Sequence, residues 1–423
     1  MSNKVVFRKS QRDRLYRVRE VVSMYYCGID IAKRKHEASV IEESGKLMSK
    51  SFSLDNSSLG ATKLFKFFDD NGINKDSIVI GMEATGHYWL PMYSFLVEEG
   101  YDVKVINPIQ SDAFRKMYIR QTKNDSKDSF IIAQIMRFGE YHTTELAEEN
   151  IIALRQLSRY RLCLVGSVSD CKRRIISLLD QVFPEYANLF SDTFGATSLE
   201  ILETYPSPDD LINIPTEQLA DFLSKASKGR FKEKKACELK EVANSSFGVG
   251  FAKDAFCFQI KQLVAQLVFI EEQISDLERE IAILMQSVNS PITTITGIGS
   301  VLGAAILSEI GDIHRFDHPS KLVAFSGLDV KVVQSGEFTG TQGKMTKRGS
   351  PYLRRAIWLA ANVASFKDPT MSEYYQSLRS RGKHHYVAVS AVARKMCNII
   401  FAILSENKPY DPYYSKHKST LSD

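Results

Sequence analysis

Two long stretches of this 423-residue chain repeat apolar residues at alternating steps of three and four, and this spacing constrains the fold more than any other feature. The first stretch runs from Leu154 to Val182, and the second runs without a break from Ile260 to Leu284. Because an α-helix turns once in about 3.6 residues, the spacing places these side chains in one stripe, which is typical of a coiled coil. We expect an antiparallel coiled coil that also joins subunits into a dimer or a tetramer. An ordinary bundle helix carries a similar stripe and is the alternative.

The segment between the two stretches, residues 184–255, is heterogeneous. It contains a basic run, KGRFKEKK, at 228–235, and four prolines, Pro184, Pro206, Pro208 and Pro215. We expect a small helical insertion between the two arms of the coiled coil.

Short apolar and alternating runs near the N-terminus indicate a different kind of structure. Alternation with a period of two favours strands, and spacing of three to four favours helices. The predicted strands are 24–32, 36–43, 46–54, 77–83 and 102–107, and the predicted helices between them are 57–71 and 88–99. Three strands followed by alternating helices and strands predict a mixed α/β sheet of the ribonuclease-H type.

Charge and composition set the broad organisation. We predict a basic arm at 1–23 and a ribonuclease-H-like α/β domain at 24–144. A coiled-coil region at 145–290 and a mostly helical C-terminal domain at 291–423 follow. The formal net charge is +5, and residues 291–423 hold 17 Lys and Arg against 10 Asp and Glu. A basic C-terminal third is typical of nucleic-acid binding, although a solvated surface of mixed charge has a similar balance.

The sequence argues against a membrane or secreted protein. It has no run of 18 uninterrupted apolar residues, and its N-terminus is basic and polar. The six cysteines include no CxxC pair, so they indicate reduced thiols and not a zinc site or a disulfide framework. We therefore expect a cytoplasmic protein.

Four acidic residues are candidates for a metal site. Asp30 lies within the apolar strand GIDIAK, where a charge is costly unless it is paired or binds a cation. Glu83 ends the next buried strand. Asp125 and Asp128 begin an apolar-periodic helix, and their spacing of three places them on one helix face. The alternative for this pair is a helix cap and a favourable first-turn charge.

Converging carboxylates repel one another unless divalent cations lie between them. Two Mg²⁺ ions roughly 3.5–4 Å apart can hold the attacking and leaving oxygens of a phosphodiester reaction. Three lysines near the four acids suit a phosphate backbone, namely Lys33, Lys123 and Lys127.

The last third of the chain contains two candidate nucleic-acid elements. Residues 292–313, with Gly297 and Gly299, resemble a helix-hairpin-helix, whose backbone N–H groups can bind a phosphate. A purely structural turn between two helices is the alternative. The second element is a glycine-rich loop around Ser335, followed by a basic set that consists of Lys344, Lys347, Arg348, Arg354 and Arg355.

The loop around Ser335 can bring a hydroxyl group to a phosphate, but serine needs a base or a metal to activate it. No histidine is adjacent to Ser335, so the acidic site would have to activate the serine hydroxyl. A plain turn at Ser335 is the alternative, and Ser326 of FSGL is a competing serine.

The chain resembles the DEDD transposases of bacterial insertion sequences, and also the Piv-type DNA inverting enzymes. The motifs that carry this resemblance occur in the order GIDIAK, MEATGHYW, KNDSKDS, TGIGSVLGAAILSEIGDIHRF, FSGL, QSGEFTG and KMTKRGSPYLRR. The resemblance implies that Asp30, Glu83, Asp125 and Asp128 form the tetrad of a domain similar to Holliday-junction resolvases, with Mg²⁺ or Mn²⁺ as cofactor. It also implies that Ser335 is a nucleophilic serine that forms a covalent phosphoserine intermediate. The segment 184–255 is longer than the family pattern, and the arm at 1–23 has no match in it.

The resemblance further implies excision and integration of a mobile element at the bacterial nucleoid, with the element ends and the target DNA as partners. In at least some members a structured RNA guides the choice of sites, and an A-form duplex would be held through its backbone. Two rivals stay open from the residues alone. One is a metal-dependent junction resolvase without a covalent intermediate, and the other is a DNA-binding remnant without activity.

Overall fold

The computed structural model describes residues 24–84, 86–116, 125–139, 141, 149–330, 334–335, 338–339 and 344–413. The chain divides into two compact units, Met1–Leu146 and Ala147–Asp423. The predicted basic arm at 1–23 lies outside the described residues. The further division of the second unit at residue 290 stays a prediction.

The N-terminal unit is a mixed α/β sheet with helices. Its strands are β1 (Tyr25–Asp30), β2 (Lys35–Glu42), β3 (Phe52–Asp55), β4 (Ile78–Glu83) and β5 (Asp102–Ile106). Its helices are α1 (Ser58–Asp70), α2 (Trp89–Glu98), α3 (Pro108–Arg115) and α4 (Asp125–Phe138), with a 3-10 turn at Lys75–Ser77. The order in the sheet is β3-β2-β1-β4-β5, antiparallel from β1 to β3 and parallel across β1, β4 and β5. The predicted mixed sheet is confirmed.

The third strand begins later than the sequence predicts. Gly45, at φ +83°, makes the turn after β2, and only an isolated bridge between Ile41 and Leu47 follows it. The chain returns to regular pairing at Phe52, where β3 begins. Turn geometry, which apolar alternation does not encode, therefore shortens this strand.

Glycines in the two central strands let α4 lie directly on the sheet. A Cβ atom on Gly28 would lie 2.0 Å from the carbonyl oxygen of Ser129, and one on Gly81 would lie 2.5 Å from Cγ of Met136. No side chain fits between these strands and α4. The opposite face of the same strands carries fully buried residues such as Ile29 and Met82. Strands buried on both faces read as continuous apolar runs, as β1 and β4 do.

The second unit is mostly helical. Its helices are α5 (Glu149–Val182), α6 (Ala196–Thr204), α7 (Pro208–Asn213), α8 (Thr216–Ala226), α9 (Glu233–Asn244), α10 (Lys253–Val288), α11 (Ser300–Ile310), α12 (Pro319–Ser326), α13 (Pro351–Lys367), α14 (Pro369–Ser380) and α15 (His385–Glu406). Short 3-10 turns lie at Pro184–Asn188, Pro291–Thr294 and Ile313–Arg315, and β6 (Gln334–Ser335) pairs with β7 (Phe338–Thr339).

The long helices α5 and α10 pack against each other in opposite directions. Leu154, near the start of α5, shares a core with Ile281, near the end of α10. Ile175, near the end of α5, shares another core with Leu267. An ion pair of 3.1 Å between Lys172 and Glu271 follows the same arrangement. The apolar stripe is therefore buried within the chain at its two ends, and its predicted role in joining subunits stays a prediction.

The segment 184–255 forms the four helices α6 to α9. Apolar residues of each helix, including Leu202, Leu211, Leu219 and Leu239, are fully buried in the core that α5 and α10 share at this end. Pro208 occupies the first turn of α7, where a missing N–H has no cost. This segment thus adds apolar cover to one end of the helix pair.

A close backbone contact joins the FSGL and KRGS motifs. A Cβ on Gly349 would lie 1.8 Å from the carbonyl oxygen of Phe325, and Gly327 has a φ of +67°. The amide of Ser350 donates to the same carbonyl of Phe325 at 2.8 Å. The glycines of both motifs are therefore needed for packing at the end of α12.

Among the described helices, α15 alone is long and apolar enough to cross a membrane by length and composition. Val389, Val392, Met396 and Ile400 of this helix have no exposed surface and belong to the C-terminal core. Such burial is typical of a helix in the core of a folded domain.

Candidate functional site

Asp30 and Glu83 end two neighbouring parallel strands. Ile29 of β1 pairs with Met82 of β4, so Asp30 and Glu83 are the next residue of each strand at the same edge. Side chains alternate along a strand, so both acids lie on the face to which Gly28 and Gly81 belong, two residues earlier. That is the face covered by α4.

Helix α4 begins on this same face. Ser129, in its second turn, packs on Gly28, and its hydroxyl lies 2.7 Å from the hydroxyl of Ser39 on β2. Asp128, the preceding residue, is 6% exposed. Asp125 is the first residue of α4, and its side chain lies outside the described residues. The structure therefore brings Asp30, Glu83 and the start of α4 to one face of the sheet.

Helix α3 supplies two contacts that the sequence did not single out. The Ser111 hydroxyl, which is buried, donates to Oε2 of Glu83 at 2.6 Å. One turn later, Nε and Nη2 of Arg115 each lie 3.1 Å from Oδ1 of Asp128. These two residues hold two of the predicted acids from one side. The signal in the sequence is a polar pair spaced by four in the short helix after β5.

A further carboxylate lies opposite Asp30. Glu37 of β2 pairs with Asp30 in the antiparallel register, so the two residues share a face. Like charges directly opposite each other destabilise a strand pair, and a cation offsets that repulsion. Sequence reasoning missed Glu37 because its position depends on the register of β1 with β2.

The donor types on this face fit a divalent cation, since Mg²⁺ prefers carboxylate oxygens. Within the residues that the structure describes, however, no three acidic, histidine or cysteine side chains are grouped closely enough to hold a metal. Arg115 pairs with Asp128 in this arrangement. A metal centre on this face would therefore need the side chain of Asp125, which lies outside the described residues, or a movement of the described acids.

The predicted lysines divide into two groups. Lys33 and Lys127 are exposed. Lys33 follows β1 and Lys127 lies in the first turn of α4, so both are close in sequence to the predicted acids. Lys123 lies outside the described residues.

The two candidate serines of the second unit differ in their surroundings. Ser335 belongs to the two-residue strand β6 and pairs with Phe338 of β7, and its side chain lies outside the described residues. Ser326 is fully buried, and its hydroxyl donates to the carbonyl of Val323 in its own helix at 2.7 Å. Ser326 therefore offers no hydroxyl to a phosphate in this conformation.

The predicted basic residues also differ in their contacts. Lys344, Lys347 and Arg348 are exposed in the loop before α13, whereas Arg354 reaches back to the carbonyl of Ser326 at 3.4 Å. Arg355 is exposed on the next position of α13.

The glycine turn predicted to bind phosphate has a packing role. Gly297 has a φ of +90°, and a Cβ there would lie 2.5 Å from the carbonyl oxygen of Ala360 on α13. Gly299 precedes the first residue of α11, as in the predicted hairpin. Phosphate binding by this turn stays a prediction.

A second polar cluster, which the sequence did not predict, surrounds Glu309 of α11. Glu309 is 6% exposed, and its carboxylate accepts from Nε and Nη2 of Arg159 at 2.6 and 3.1 Å. The Ser350 hydroxyl, which also caps α13, donates to it at 2.8 Å. Bidentate arginine–carboxylate pairs are among the stronger polar contacts in proteins. Glu309 thus ties α5, α11 and the start of α13 together.

Comparison with known proteins places the chain among transposases. A family model for DEDD transposases of the IS110 type matches residues 27–184, and a model described as the transposase IS116/IS110/IS902 family matches residues 289–376. Together the two matches cover more than half of the chain. The chain belongs to the IS116/IS110/IS902 family of insertion-element transposases, which confirms the predicted resemblance.

Individual relatives align over almost the whole chain. The insertion element IS116 uncharacterized 44.8 kDa protein of Streptomyces clavuligerus is 22% identical over 393 residues, 92% of this chain and 96% of that protein. The mini-circle putative transposase for IS117 of Streptomyces coelicolor is 23% identical, over 91% of this chain and 95% of its own length. The pilin gene-inverting protein of Moraxella bovis is 21% identical, over 92% and 98%.

Proposed function

We propose that this protein cuts and rejoins DNA as an insertion-element transposase, using Asp30, Glu83, Asp125 and Asp128 as its acidic site. The observation that carries the proposal is the position of Asp30 and Glu83 at the ends of adjacent parallel strands, under the start of α4. Relatives named as a transposase and as a gene-inverting protein support DNA as the substrate. The proposal includes a ribonuclease-H-like fold for the N-terminal unit.

The cofactor in this proposal is Mg²⁺ or Mn²⁺, which when bound neutralises negative charge on the reacting phosphate. The chain's own part is to place the ligands. The hydroxyl of Ser111 fixes one carboxylate oxygen of Glu83, and Arg115 holds Asp128 in place. Lys33 and Lys127 supply positive charge for the phosphate backbone.

Ser335 is the nucleophile in this proposal. Its hydroxyl oxygen forms a bond to phosphorus while the bond from phosphorus to one deoxyribose oxygen breaks. The serine hydroxyl gives up its proton in this step, and the departing oxygen takes up one proton and leaves as a hydroxyl, so that the DNA end becomes covalently joined to the protein. The basic loop that follows Ser335 and the buried, internally bonded hydroxyl of Ser326 support Ser335 over Ser326.

The partners in this proposal are the element ends, the target DNA and a structured guide RNA. The glycine turn at Gly297 and Gly299 and the basic residues from Lys344 to Arg355 are the proposed contacts. Two DNA sites call for at least a dimer. The stripe on α10 stays the proposed subunit interface, since its middle residues Ile270, Ile274 and Leu277 are only half-buried.

A strand-cleavage assay tests the acidic site. We expect Asp30→Asn to abolish metal-dependent cleavage of element ends and to leave nucleic-acid binding largely intact. Asp55→Asn is the matched control, because Asp55 also ends a strand but lies on the outer edge in an exposed pair with Lys35. Normal recombination by Asp30→Asn contradicts the proposal, and inactivity of the wild-type protein with intact binding favours a silent DNA-binding remnant.

Detection of a covalent adduct tests the serine. We expect Ser335→Ala to remove a protein–DNA adduct that the wild-type protein forms, and the digested adduct to contain the peptide with Ser335. Ser326→Ala is the control and should keep the adduct. Metal-dependent cleavage without any adduct would favour a nuclease of the junction-resolvase kind.

A further inference from the structure

Three arginines of the second unit lie around the end of α11. Arg155 and Arg159 are spaced by four residues on α5, so they lie on the same side of that helix, where both contact α11. Arg315 follows α11 in the 3-10 turn Ile313–Arg315. These three residues are called the arginine cluster below.

The three arginines differ in how far the protein satisfies their N–H groups. Arg159 is held by its bidentate pair with Glu309. Nε of Arg155 donates to the carbonyl of Ser308 at 2.7 Å, but its two Nη groups make no hydrogen bond to a residue that the structure describes. These Nη atoms are not among the buried atoms that lack a partner. The guanidinium of Arg315, an exposed residue, makes neither a hydrogen bond nor an ion pair within the described part of the chain.

Two aromatic rings fix the orientation of Arg315. Its guanidinium lies 4.4 Å from the centre of the Phe325 ring and 4.7 Å from the centre of the Phe316 ring. A long side chain that is already ordered loses less conformational entropy when a ligand binds. The donors of Arg315 are therefore held in place before an anion arrives.

The arginine cluster carries an excess of positive charge. Its three guanidinium groups lie near two carboxylates, those of Glu309 and Asp312. Burial lowers the pKa of Arg155 and of Arg315, and a neighbouring arginine lowers each further, Arg159 in the first case and Arg155 in the second. The like charges therefore repel one another, and an anion would offset the repulsion. The excess of one positive charge matches the single negative charge of a phosphodiester.

The arginine cluster lies at the base of the segment that carries Ser335. The chain passes from Phe325 towards Ser335 and returns to Ser350, whose amide donates to the carbonyl of Phe325 at 2.8 Å. Val330 and Met345 form a bridge between the outgoing and the returning chain. The cluster touches both ends, through the Phe325 ring and through the carboxylate that accepts from the Ser350 hydroxyl. An anion bound there would lie beside the start of this segment.

We propose that Arg155 and Arg315 together bind one phosphate group of a nucleic-acid backbone. Guanidinium groups match the oxygens of a phosphate in shape and charge, and the free donors of these two arginines supply both. The phosphate is common to DNA and RNA. This inference rests on the proposed function, since it assumes that the protein binds nucleic acid, but it does not depend on the acidic site or on the chemistry of Ser335.

Replacement of single phosphates tests the inference on the full chain. A DNA duplex of an element end is made as a series in which each member carries one uncharged methylphosphonate in place of a phosphate, and an RNA duplex is made in the same way. At one position, the replacement should weaken binding to the wild-type protein about tenfold, in the range of a hydrogen bond to a charged group. That loss should disappear in Arg315→Gln, because the contact is already absent. The series that contains this position identifies DNA or RNA as the source of the phosphate.

Two further variants assign the contact. Arg155→Gln should remove the effect at the same position as Arg315→Gln, because both arginines bind the same phosphate. Arg230→Gln is the matched control, since Arg230 is also an exposed arginine of the second unit, with its guanidinium 5.3 Å from the centre of the Phe231 ring. Its series should equal that of the wild-type protein. Melting temperatures show whether each variant is folded, and Arg315→Gln should change little because it removes one of two like charges.

Identical series for the wild-type protein, Arg155→Gln and Arg315→Gln overturn the inference while the proposed function stands. A lower melting temperature of Arg315→Gln with an unchanged series also overturns it, because the arginine then only holds the two rings. Effects that disappear at two different positions exclude a shared phosphate. A wild-type protein that shows the expected position but never cleaves the element ends contradicts the proposed function and not the inference, so the two failures are distinguishable.

Discussion

At the scale of single residues, the acidic face is shaped by neighbours that are not themselves acidic. Gly28 and Gly81 make room for α4, Ser111 fixes Glu83, and Arg115 occupies one oxygen of Asp128. A buried ion pair is costly to break because it leaves one charge without compensation. The negative charge of Asp128 is therefore balanced by Arg115 in this structure, and a cation that binds Asp128 would have to take the place of Arg115.

The first prediction concerns Arg115. In Arg115→Gln the buried Asp128 loses its ion pair, and we expect a loss of about 3 kcal/mol in the free energy of unfolding without added metal. Mg²⁺ should raise the melting temperature of the variant more than that of the wild-type protein, because the cation then takes the place of the guanidinium. Thermal unfolding with and without Mg²⁺ measures this. Arg137→Gln on α4 is the control, and equal metal effects in all three proteins would show that no cation reaches Asp128.

The second prediction concerns His36 of β2. His36 is 1% exposed, and its Nδ1 accepts from the amide of Ala32 at 3.3 Å. Burial lowers the pKa of this histidine below its ordinary value of 6.5, and Asn56 offsets part of the effect. The unfolded chain therefore takes up a proton before the folded chain does. Stability is fully present above pH 6.5 and falls as the pH drops from there towards the folded pKa.

Chemical denaturation between pH 7 and pH 5 checks this sign. The wild-type N-terminal unit should lose stability over that range relative to His36→Gln, which cannot be protonated. His314→Gln, in the second unit, should behave as the wild-type protein does. Parallel pH profiles for wild type and His36→Gln would mean that His36 titrates normally.

At the scale of elements, the apolar stripe of α10 packs on α5 of the same chain, as an antiparallel helix pair requires, and its predicted role in joining subunits stays a prediction. The stripe on α10 is real, and Ile260, Val264 and Leu267 have no exposed surface. Their partners are α5 and the helices of the segment 184–255 in the same chain. Period and spacing specify that a helix has a partner, but they do not specify which helix it is.

The third prediction follows from that packing. Leu267→Lys places a charge in a filled core, so we expect a loss of more than 3 kcal/mol in the free energy of unfolding. Phe269→Lys is the matched control on the same helix, because Phe269 is 58% exposed, and its effect should stay within about 0.5 kcal/mol. Denaturant unfolding together with native mass measures both. A folded Leu267→Lys protein of lower native mass would instead identify the stripe as a subunit interface.

At the scale of the whole molecule, the proposed acidic tetrad and the excess of basic residues belong to different units. The acidic residues of the proposed tetrad all belong to the first unit, whereas residues 291–423 of the second unit carry the excess of Lys and Arg. Phosphate contacts by such residues release counterions, which makes binding depend on salt. Lys344, Lys347 and Arg348, in the loop before α13, are among the exposed residues of this charge.

The fourth prediction is a change in that salt dependence. If Lys347 and Arg348 each contact a phosphate, the slope of log Kd against log salt should decrease by about 0.9 for each residue changed to Gln. The control is Lys408→Gln, whose side chain is exposed but paired with Glu406 at 3.0 Å. Binding titrations at several salt concentrations give the slopes. Unchanged slopes in both loop variants would exclude this loop from the nucleic-acid contacts.

The sequence by itself determined the kinds of element and their order. Alternation and helical spacing predicted the sheet strands and the two long helices, because burial on one face leaves a periodic record in the chain. The motifs around Asp30, Glu83 and Asp128 also predicted the family. Tertiary structure alone decided which surfaces meet. The register of β1 with β2 placed Glu37 opposite Asp30, α3 brought Ser111 and Arg115 to the acids, and packing paired α10 with α5. These outcomes depend on contacts between residues far apart in the chain, which local periodicity does not record.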